Sequence, residues 1–189
     1  MSLVMRDMDG NAHAENSTVI ISAAGKKEFK WRSDLVFSTR NLTNLAKRNA
    51  GDAGFIEEVR GVIVHELTHS WQWSCTNVPG GLIEGFPSNR QVSLIPGIAD
   101  FVRLRAGLAP PHWRHEPKGK KWDAGYETTA YFLDYVDKDI YTGFVACVNE
   151  WLGQKCLKDG VYDETQMFEE VMPGWDWNVL WEQWCEKCS

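Results

Sequence analysis

An apolar helix pattern that carries two histidines is the feature that most constrains how this chain folds. Between Phe55 and Ser70 apolar residues recur at spacings of three and four, which is the period of an α-helix. The pattern predicts one helix from Phe55 through Trp73. The turn "GVIV" before the first histidine is apolar, as expected of a helix with a buried face. The next five residues read "HELTH".

The two histidines of this segment, His65 and His69, are four residues apart and therefore lie on the same face of the helix. Their imidazoles can converge on one ion and supply half of a tetrahedral zinc site. Glu66 follows the first histidine and can reach a water held by the metal, the arrangement of H-E-x-x-H peptidases. The alternative is a pair of core histidines bonded to acids without a metal.

A catalytic zinc ion needs a third protein ligand and an open position for water. The best candidate is Glu84 in "GGLIEG", because the turn at Pro79 to Gly81 lets the chain fold back toward the histidine helix. Asp100 is the rival ligand. Two further histidines, in the segment "APPHWRHEP", are weaker candidates: His112 and His115.

Length and composition exclude several classes of protein. A chain of 189 residues is long enough for one domain with a core. The net charge of −6 argues against a nucleic-acid surface, which needs clustered Lys and Arg. No run of eighteen apolar residues occurs, so we expect no membrane-spanning helix. The ten tryptophans are expected to anchor a core, with a carbohydrate-binding module as the alternative.

The five cysteines do not form a recognisable metal or redox pattern. The terminal "CEKC" lacks a second pair at zinc-ribbon spacing and does not precede a βαβ unit, which disfavours both roles. A disulfide between Cys147 and Cys156 remains open.

The order of the predicted elements is strands first and helices afterwards, which favours an α+β fold. Strands are predicted in the segments "SLVMRDMDG" and "STVIISA". Helices are predicted at Ile98–Leu108 and in "YETTAYFLDYVDKDI", "TGFVACVNEWLGQKC", "DETQMFEEVM" and "WDWNVLWEQWCEKC". Asp163 is a plausible N-cap, and one face of the last helix carries Trp177, Leu180, Trp181 and Trp184.

Several of these segments together resemble a known family. The stretches "GVIVHELTHSWQW", "PGGLIEG", "IADFVRLRAGLAPPHW" and "WDAGYETTAYFLDY" look like the plant and microbial basic secretory proteins, predicted zinc metallopeptidases of the zincin superfamily. The opening "DMDG" matches a strand-end motif of that family, and the resemblance covers nearly the whole chain. It implies a zincin-like fold, with a small N-terminal sheet over the H-E-x-x-H helix and a helical C-terminal half.

The resemblance also implies a set of roles. Glu84 would be the third zinc ligand, and Asp100 would orient a ligand histidine by accepting its other N–H. The resemblance further implies one Zn²⁺ per chain and a peptide or protein substrate. Endopeptidase activity is favoured over exopeptidase activity. The family name implies secretion, although this chain carries no signal peptide. As the donor of a hydrogen bond to the oxyanion we select Tyr126, and Tyr131 and His112 are the next candidates.

The chain departs from the family pattern in ways that open a second interpretation. Glu84 and Asp100 should be four residues apart and are sixteen apart, with an insert at about residues 86–97. Pro87 and Pro96 argue against a continuous helix through this insert. Residues 1–189 are therefore expected to form one zincin-like domain, N-terminally truncated and carrying the insert. The alternative function is a non-catalytic, zincin-shaped binding or structural protein with an impaired zinc site.

Overall fold

A computed structural model describes most of the chain, in segments separated by short gaps. The described residues are 2–6, 18–24, 32–38, 47, 51–69, 71–73, 82–83, 86–87, 91–117, 121–158 and 162–188. They divide into two compact units, Met1–Ser70 and Trp71–Ser189. The prediction of a single domain over residues 1–189 stays a prediction.

The first unit contains the histidine helix. Helix α1 spans Gly51–His69, so it begins four residues before the predicted start and ends four residues before the predicted end. The backbone of this unit also runs through three short strands: β1 (Ser2–Arg6), β2 (Thr18–Ala24) and β3 (Arg32–Ser38). They pair antiparallel in the order β1-β2-β3, with Arg6 opposite Thr18 and Ala24 opposite Arg32.

The second unit is built mainly from helices. Its helices are α2 (Gln91–Arg105), α3 (Tyr126–Tyr135), α4 (Phe144–Lys158), α5 (Glu164–Val171) and α6 (Trp177–Lys187). A π-helical turn, Val136–Ile140, continues α3. Two-residue strands, β4 (Leu82–Ile83) and β5 (Phe86–Pro87), pair antiparallel before α2. None of the described helices is both long enough and apolar enough to span a membrane.

The prediction of an α+β fold, with a small sheet over the H-E-x-x-H helix, is wrong for the part of the chain whose side chains the structure describes. Wherever the structure describes side chains, the regular elements are helical and none of those residues lies in a strand. The described core is built from helix and turn residues between Leu94 and Trp184. The α+β prediction rested on the order of the elements along the chain. The described core instead consists mainly of aromatic and aliphatic side chains at helical spacing, and it includes no strand residue.

The aromatic face predicted for the last helix is confirmed. Trp177, Leu180 and Trp184 of α6 are at most 7% exposed, and Trp181 packs against them from a half-buried position. The indole of Trp177 stacks on Phe168 of α5, with ring centroids 3.9 Å apart and an interplanar angle of 17°. Tryptophan therefore serves mainly as a packing anchor in this unit, as predicted.

The crossing of α2 and α3 depends on a glycine. A Cβ atom added at Gly97 would lie 2.3 Å from Cγ2 of Thr129 and 2.7 Å from its Cβ. Real side chains do not approach so closely, so only glycine allows the two backbones to pack at this distance. Most of the contact between helices in the second unit is between these two.

No helix runs through the whole insert, since Phe86–Pro87 form β5, but the expected interruption of the helix at Pro96 does not occur. Helix α2 continues through Pro96 and begins seven residues before the predicted start at Ile98. The side chain of Gln72 donates a hydrogen bond of 2.9 Å to the carbonyl of Ile95, directly before the proline. This contact ties the turn beside Pro96 to Gln72, although it does not replace the backbone hydrogen bond that proline cannot make.

Aspartate side chains cap the N-termini of α5 and α6. Asp163 precedes α5 and accepts a hydrogen bond of 2.9 Å from the backbone N–H of Gln166, which confirms the predicted N-cap. Asp176 does the same for α6, accepting from the N–H groups of Asn178 and Val179 at 2.8 and 3.4 Å. Each cap satisfies donors that the first turn of a helix leaves without partners.

Candidate metal centre

The two histidines of the H-E-x-x-H segment converge at the C-terminal end of α1. The Nε2 atoms of His65 and His69 are 3.2 Å apart, and the two rings meet edge to face with centroids 4.8 Å apart. Both side chains are half-buried. Helical spacing produces this convergence, because residues four apart stand one above the other on the same face.

The distance between the two nitrogens fits a shared zinc ion. Two nitrogens that are each about 2.05 Å from one zinc and 3.2 Å apart subtend about 103° at the metal, near the roughly 109° of a tetrahedron. The same distance also fits an N–H···N hydrogen bond, in which one ring donates and the other accepts. The chemistry of the donor pair therefore suits zinc without requiring it.

Glu66 and Thr68 occupy the same turn of α1 as the histidines. Glu66 is half-buried, one residue beyond His65, which is the position expected of the catalytic glutamate. The hydroxyl of Thr68 donates a hydrogen bond of 2.8 Å to the carbonyl of Val64, so this side chain turns back onto the helix. The threonine hydroxyl is therefore directed onto the backbone of α1.

The predicted third ligand, Glu84, lies outside the described residues. The strands Leu82–Ile83 and Phe86–Pro87 flank it in the sequence. Among the residues that the structure describes, no group of three or more His, Cys, Asp or Glu side chains is arranged to hold a metal ion. A complete zinc site with Glu84 as its third ligand therefore stays a prediction.

Asp100, predicted to orient a ligand histidine, is a buried acid of α2 with 3% of its surface exposed. Burial of a carboxylate is costly unless it is hydrogen-bonded, so this position has a specific structural or functional requirement for an acid. One turn later Arg103 is also buried; its Nε donates to the carbonyl of Leu108 at 2.9 Å and its guanidinium lies over Trp113. The role of Asp100 in orienting a ligand histidine stays a prediction.

The candidates for the oxyanion donor differ in their surroundings. Tyr126 begins α3 with a positive φ of 49°, directly after Gly125, and 65% of its surface is exposed. Tyr131 is half-buried, and its ring meets the rings of Trp113 and His115 edge to face. Burial raises the pKa of the Tyr131 phenol, and the nearby carboxylates of α3 add to this effect. Tyr126 is therefore the more exposed of the two residues, and its role as the oxyanion donor stays a prediction.

Neither His112 nor His115, the weaker ligand candidates, belongs to a metal-binding group among the described residues. His112 is exposed. The ring of His115 packs edge to face on Trp184, and its Nδ1 lies 3.8 Å from the Sγ atom of Cys188. This contact could not be predicted from local patterns, because its partners are 73 positions apart in the chain.

The cysteines near the C-terminus are partly shielded from solvent. Cys185 and Cys188 are half-buried, and burial raises the pKa of both thiols, which disfavours the reactive thiolate. Cys147 forms no disulfide, so the bridge considered between Cys147 and Cys156 is absent from the structure. The Cys156 side chain lies outside the described residues.

Comparison with known proteins places the chain in a family. Residues 1–184 match the family model BSP, described as "Peptidase of plants and bacteria". No curated protein and no solved structure matches the chain. The match covers almost the entire sequence, including the histidine helix and the helical unit that follows it. The chain therefore belongs to the basic secretory protein family, the peptidases of plants and bacteria.

Proposed function

We propose that this chain is a zinc-dependent metallopeptidase in which His65, His69 and Glu84 hold the metal and Glu66 is the general base. The observation that carries the proposal is the 3.2 Å separation of the two histidine Nε2 atoms on one helical face, with Glu66 beside them. Membership of a peptidase family supports the reaction class. The substrate is a peptide or a protein.

Zinc, when bound, supplies a water of lowered pKa and polarises the scissile carbonyl. Glu66 accepts the proton of the attacking water and delivers it to the leaving amine nitrogen as the peptide bond breaks. Its half-buried position limits competition from bulk water. The exposed hydroxyl of Tyr126 would donate a hydrogen bond to the oxyanion, and the carboxylate of Asp100 would orient a ligand histidine.

Replacement of the general base is the decisive activity test. We expect Glu66→Gln to lower the hydrolysis of an internally quenched peptide with blocked termini by about 10²- to 10⁴-fold, because a general base contributes that much. Zinc content should not change, since the glutamine leaves both histidines in place. Cleavage of a substrate with blocked termini would also support the endopeptidase assignment over an exopeptidase.

A matched control lies on the same helix. Glu57 is exposed and pairs with Arg60 at 2.8 Å, three residues away and outside the H-E-x-x-H segment. Glu57→Gln makes the same chemical change and should retain full activity. If Glu66→Gln retained wild-type activity, the assigned role of Glu66 would be wrong.

The second candidate is a non-catalytic, zincin-shaped binding or structural protein. The sixteen-residue separation of Glu84 and Asp100 favours it, because the family pattern brings the two carboxylates together within four residues. This candidate predicts no hydrolysis by the wild-type protein under conditions in which its helices are folded. Peptide hydrolysis that Glu66→Gln abolishes would eliminate it.

A further inference from the structure

The C-terminal end of α6 carries two cysteines beside a histidine, outside the proposed peptidase machinery. Cys185 lies in the last turn of α6, and Cys188 is the C-cap residue. The N–H of Cys188 donates to the carbonyl of Cys185 at 3.3 Å, so the two residues share one turn. Both side chains are half-buried and pack against the described core. Residues three apart lie on the same face of a helix, so the two sulfur atoms are neighbours.

Helical spacing brings the two cysteines within range of a disulfide. Residues three apart in an α-helix have Cα atoms about 5 Å apart, given a rise of about 1.5 Å per residue and a radius of about 2.3 Å. Disulfides span Cα separations of about 4.4–6.8 Å. The Cβ atoms start about 5–6 Å apart and must approach to about 4.5 Å or less. Because α6 ends at Lys187, this adjustment falls on the cap residue Cys188 and not on the helix.

An imidazole lies against one of the two thiols. The Nδ1 atom of His115 is 3.8 Å from the Sγ atom of Cys188. In the tautomer that carries its proton on Nε2, Nδ1 accepts a hydrogen bond from the thiol. The rings of Tyr131 and Trp184 meet the imidazole edge to face, with centroids 4.8 and 5.8 Å away. A base is thereby held beside Cys188, and thiols react through the thiolate.

We propose that Cys185 and Cys188 are an oxidisable pair that closes to a disulfide by exchange with a small-molecule disulfide, and that His115 accepts the proton of Cys188. With glutathione disulfide, the Cys188 thiolate attacks one sulfur and one glutathione leaves as its thiolate. The thiolate of Cys185 then attacks Sγ of Cys188 in the mixed disulfide, and the second glutathione leaves. Two protein thiols are oxidised, one glutathione disulfide is reduced to two glutathione thiols, and the leaving thiolates take up the two protons.

This pair differs from the thioredoxin-type motif that the sequence disfavoured. Burial raises the pKa of both thiols, so the reduced pair gains no stability from a thiolate. A stabilised thiolate is what makes the disulfide of a strong oxidant easy to reduce, so the disulfide formed here should resist reduction. The bridge would fix the end of α6, where Trp184 is buried and Lys187 pairs with Asp139. This inference does not depend on the peptidase chemistry.

The test is incubation of the whole, previously reduced protein with excess glutathione disulfide, followed by N-ethylmaleimide and mass spectrometry of a tryptic digest. Trypsin cleaves after Lys187 and so separates Cys185 from Cys188 unless a disulfide joins them. We expect the joined peptides in most chains. Cys147 forms no disulfide in the structure and should carry only glutathione or N-ethylmaleimide. Glutathione retained on Cys185 or Cys188 without the bridge, or no reaction at either residue, would overturn the proposal.

Two histidine variants test the proton acceptor. His115→Gln should slow closure of the bridge by about 10-fold or more, because a positioned base contributes at least that much. The final extent of closure in excess glutathione disulfide should not change, since both thiols remain. His112→Gln makes the same change at an exposed position three residues earlier and should leave the rate unchanged. An unchanged rate in His115→Gln, or equal slowing by both variants, would contradict the role of His115.

Discussion

The α2–α3 crossing gives the sharpest stability prediction, which is that Gly97→Ala destabilises the fold. A methyl group at this position would stand 2.3 Å from Cγ2 of Thr129 and 2.7 Å from its Cβ. At these distances the two helices must move apart or the threonine must rotate. The substitution is otherwise favourable, because alanine has a higher helix propensity than glycine.

Thr129 cannot rotate freely, because both of its hydroxyl bonds are to buried backbone groups. Its Oγ1 donates to the carbonyl of Trp122 at 2.7 Å and accepts from the N–H of Gly125 at 3.0 Å. The residue is 0% exposed, so a broken bond would not be replaced by water. The clash must therefore be relieved mainly by displacement of the helices.

The expected magnitude follows from two opposing terms. Overpacking of a well-packed contact costs about 1–3 kcal/mol, and contacts this short belong at the upper end of that range. Replacing glycine by alanine within a helix returns about 1 kcal/mol. The free energy of unfolding should therefore fall by about 2 kcal/mol.

Urea denaturation followed by far-UV circular dichroism measures this change, and Gly153→Ala is the matched control. A Cβ at Gly153 would also be close to a neighbour, 2.8 Å from the ring of Trp73, but that ring is 46% exposed and can swing away. The control should be as stable as the wild type or up to about 1 kcal/mol more stable, because the gain in helix propensity is not offset by a fixed clash. Adding Thr129→Ser to Gly97→Ala should recover part of the loss, because the serine lacks Cγ2 and keeps the hydroxyl. Wild-type stability of Gly97→Ala would refute the reasoning.

Two further changes test the helix ends and the surface charges. Asp176→Ala should lower the free energy of unfolding, measured by urea denaturation, by about 1 kcal/mol, because α6 loses its N-cap. Asp176→Asn keeps a capping oxygen and should retain most of the stability. Equal stability of Asp176→Ala and the wild type would contradict this prediction. The pKa of the Glu170 carboxyl is held below its ordinary value of 4.5, first by the hydrogen bond from the Trp151 indole and then by the bond from Lys155. A lowered pKa in the folded state stabilises the protein above the ordinary pKa, and this contribution is lost as the pH falls through the folded value. The wild type should therefore exceed Glu170→Gln in free energy of unfolding by more at neutral pH than below pH 4.5. A difference that does not change with pH would show that the ionised carboxylate does not stabilise the fold.

Local signals in the sequence predicted the helices well because helical period and capping are local properties. The apolar spacing from Phe55 placed the histidine helix within four residues at each end, and Asp163 marked the start of α5. The aromatic face of the last helix was predicted in the same way, since Trp177 and Trp184 lie seven residues, or about two turns, apart.

Tertiary contacts account for what the sequence did not predict. Pro96 was taken as a helix breaker, yet α2 passes through it with a hydrogen bond from Gln72, a residue 23 positions away from its acceptor. The fold class was predicted from the order of the elements, which does not reveal whether helices alone can fill a core.

The convergence of His65 and His69 was predictable because both residues lie on one helix, and their spacing fixes their separation. The position of the third ligand could not be predicted in the same way. Glu84 is fifteen residues beyond His69, across turns whose path the local pattern does not determine.

Zinc content of the purified, folded protein tests the central claim most directly. After dialysis against a weak chelator, elemental analysis should give about one zinc per chain for the wild type. His69→Ala should reduce this ratio to near zero, whereas the same change at exposed His112 should leave it unchanged. A ratio near zero in folded wild-type protein would contradict the account.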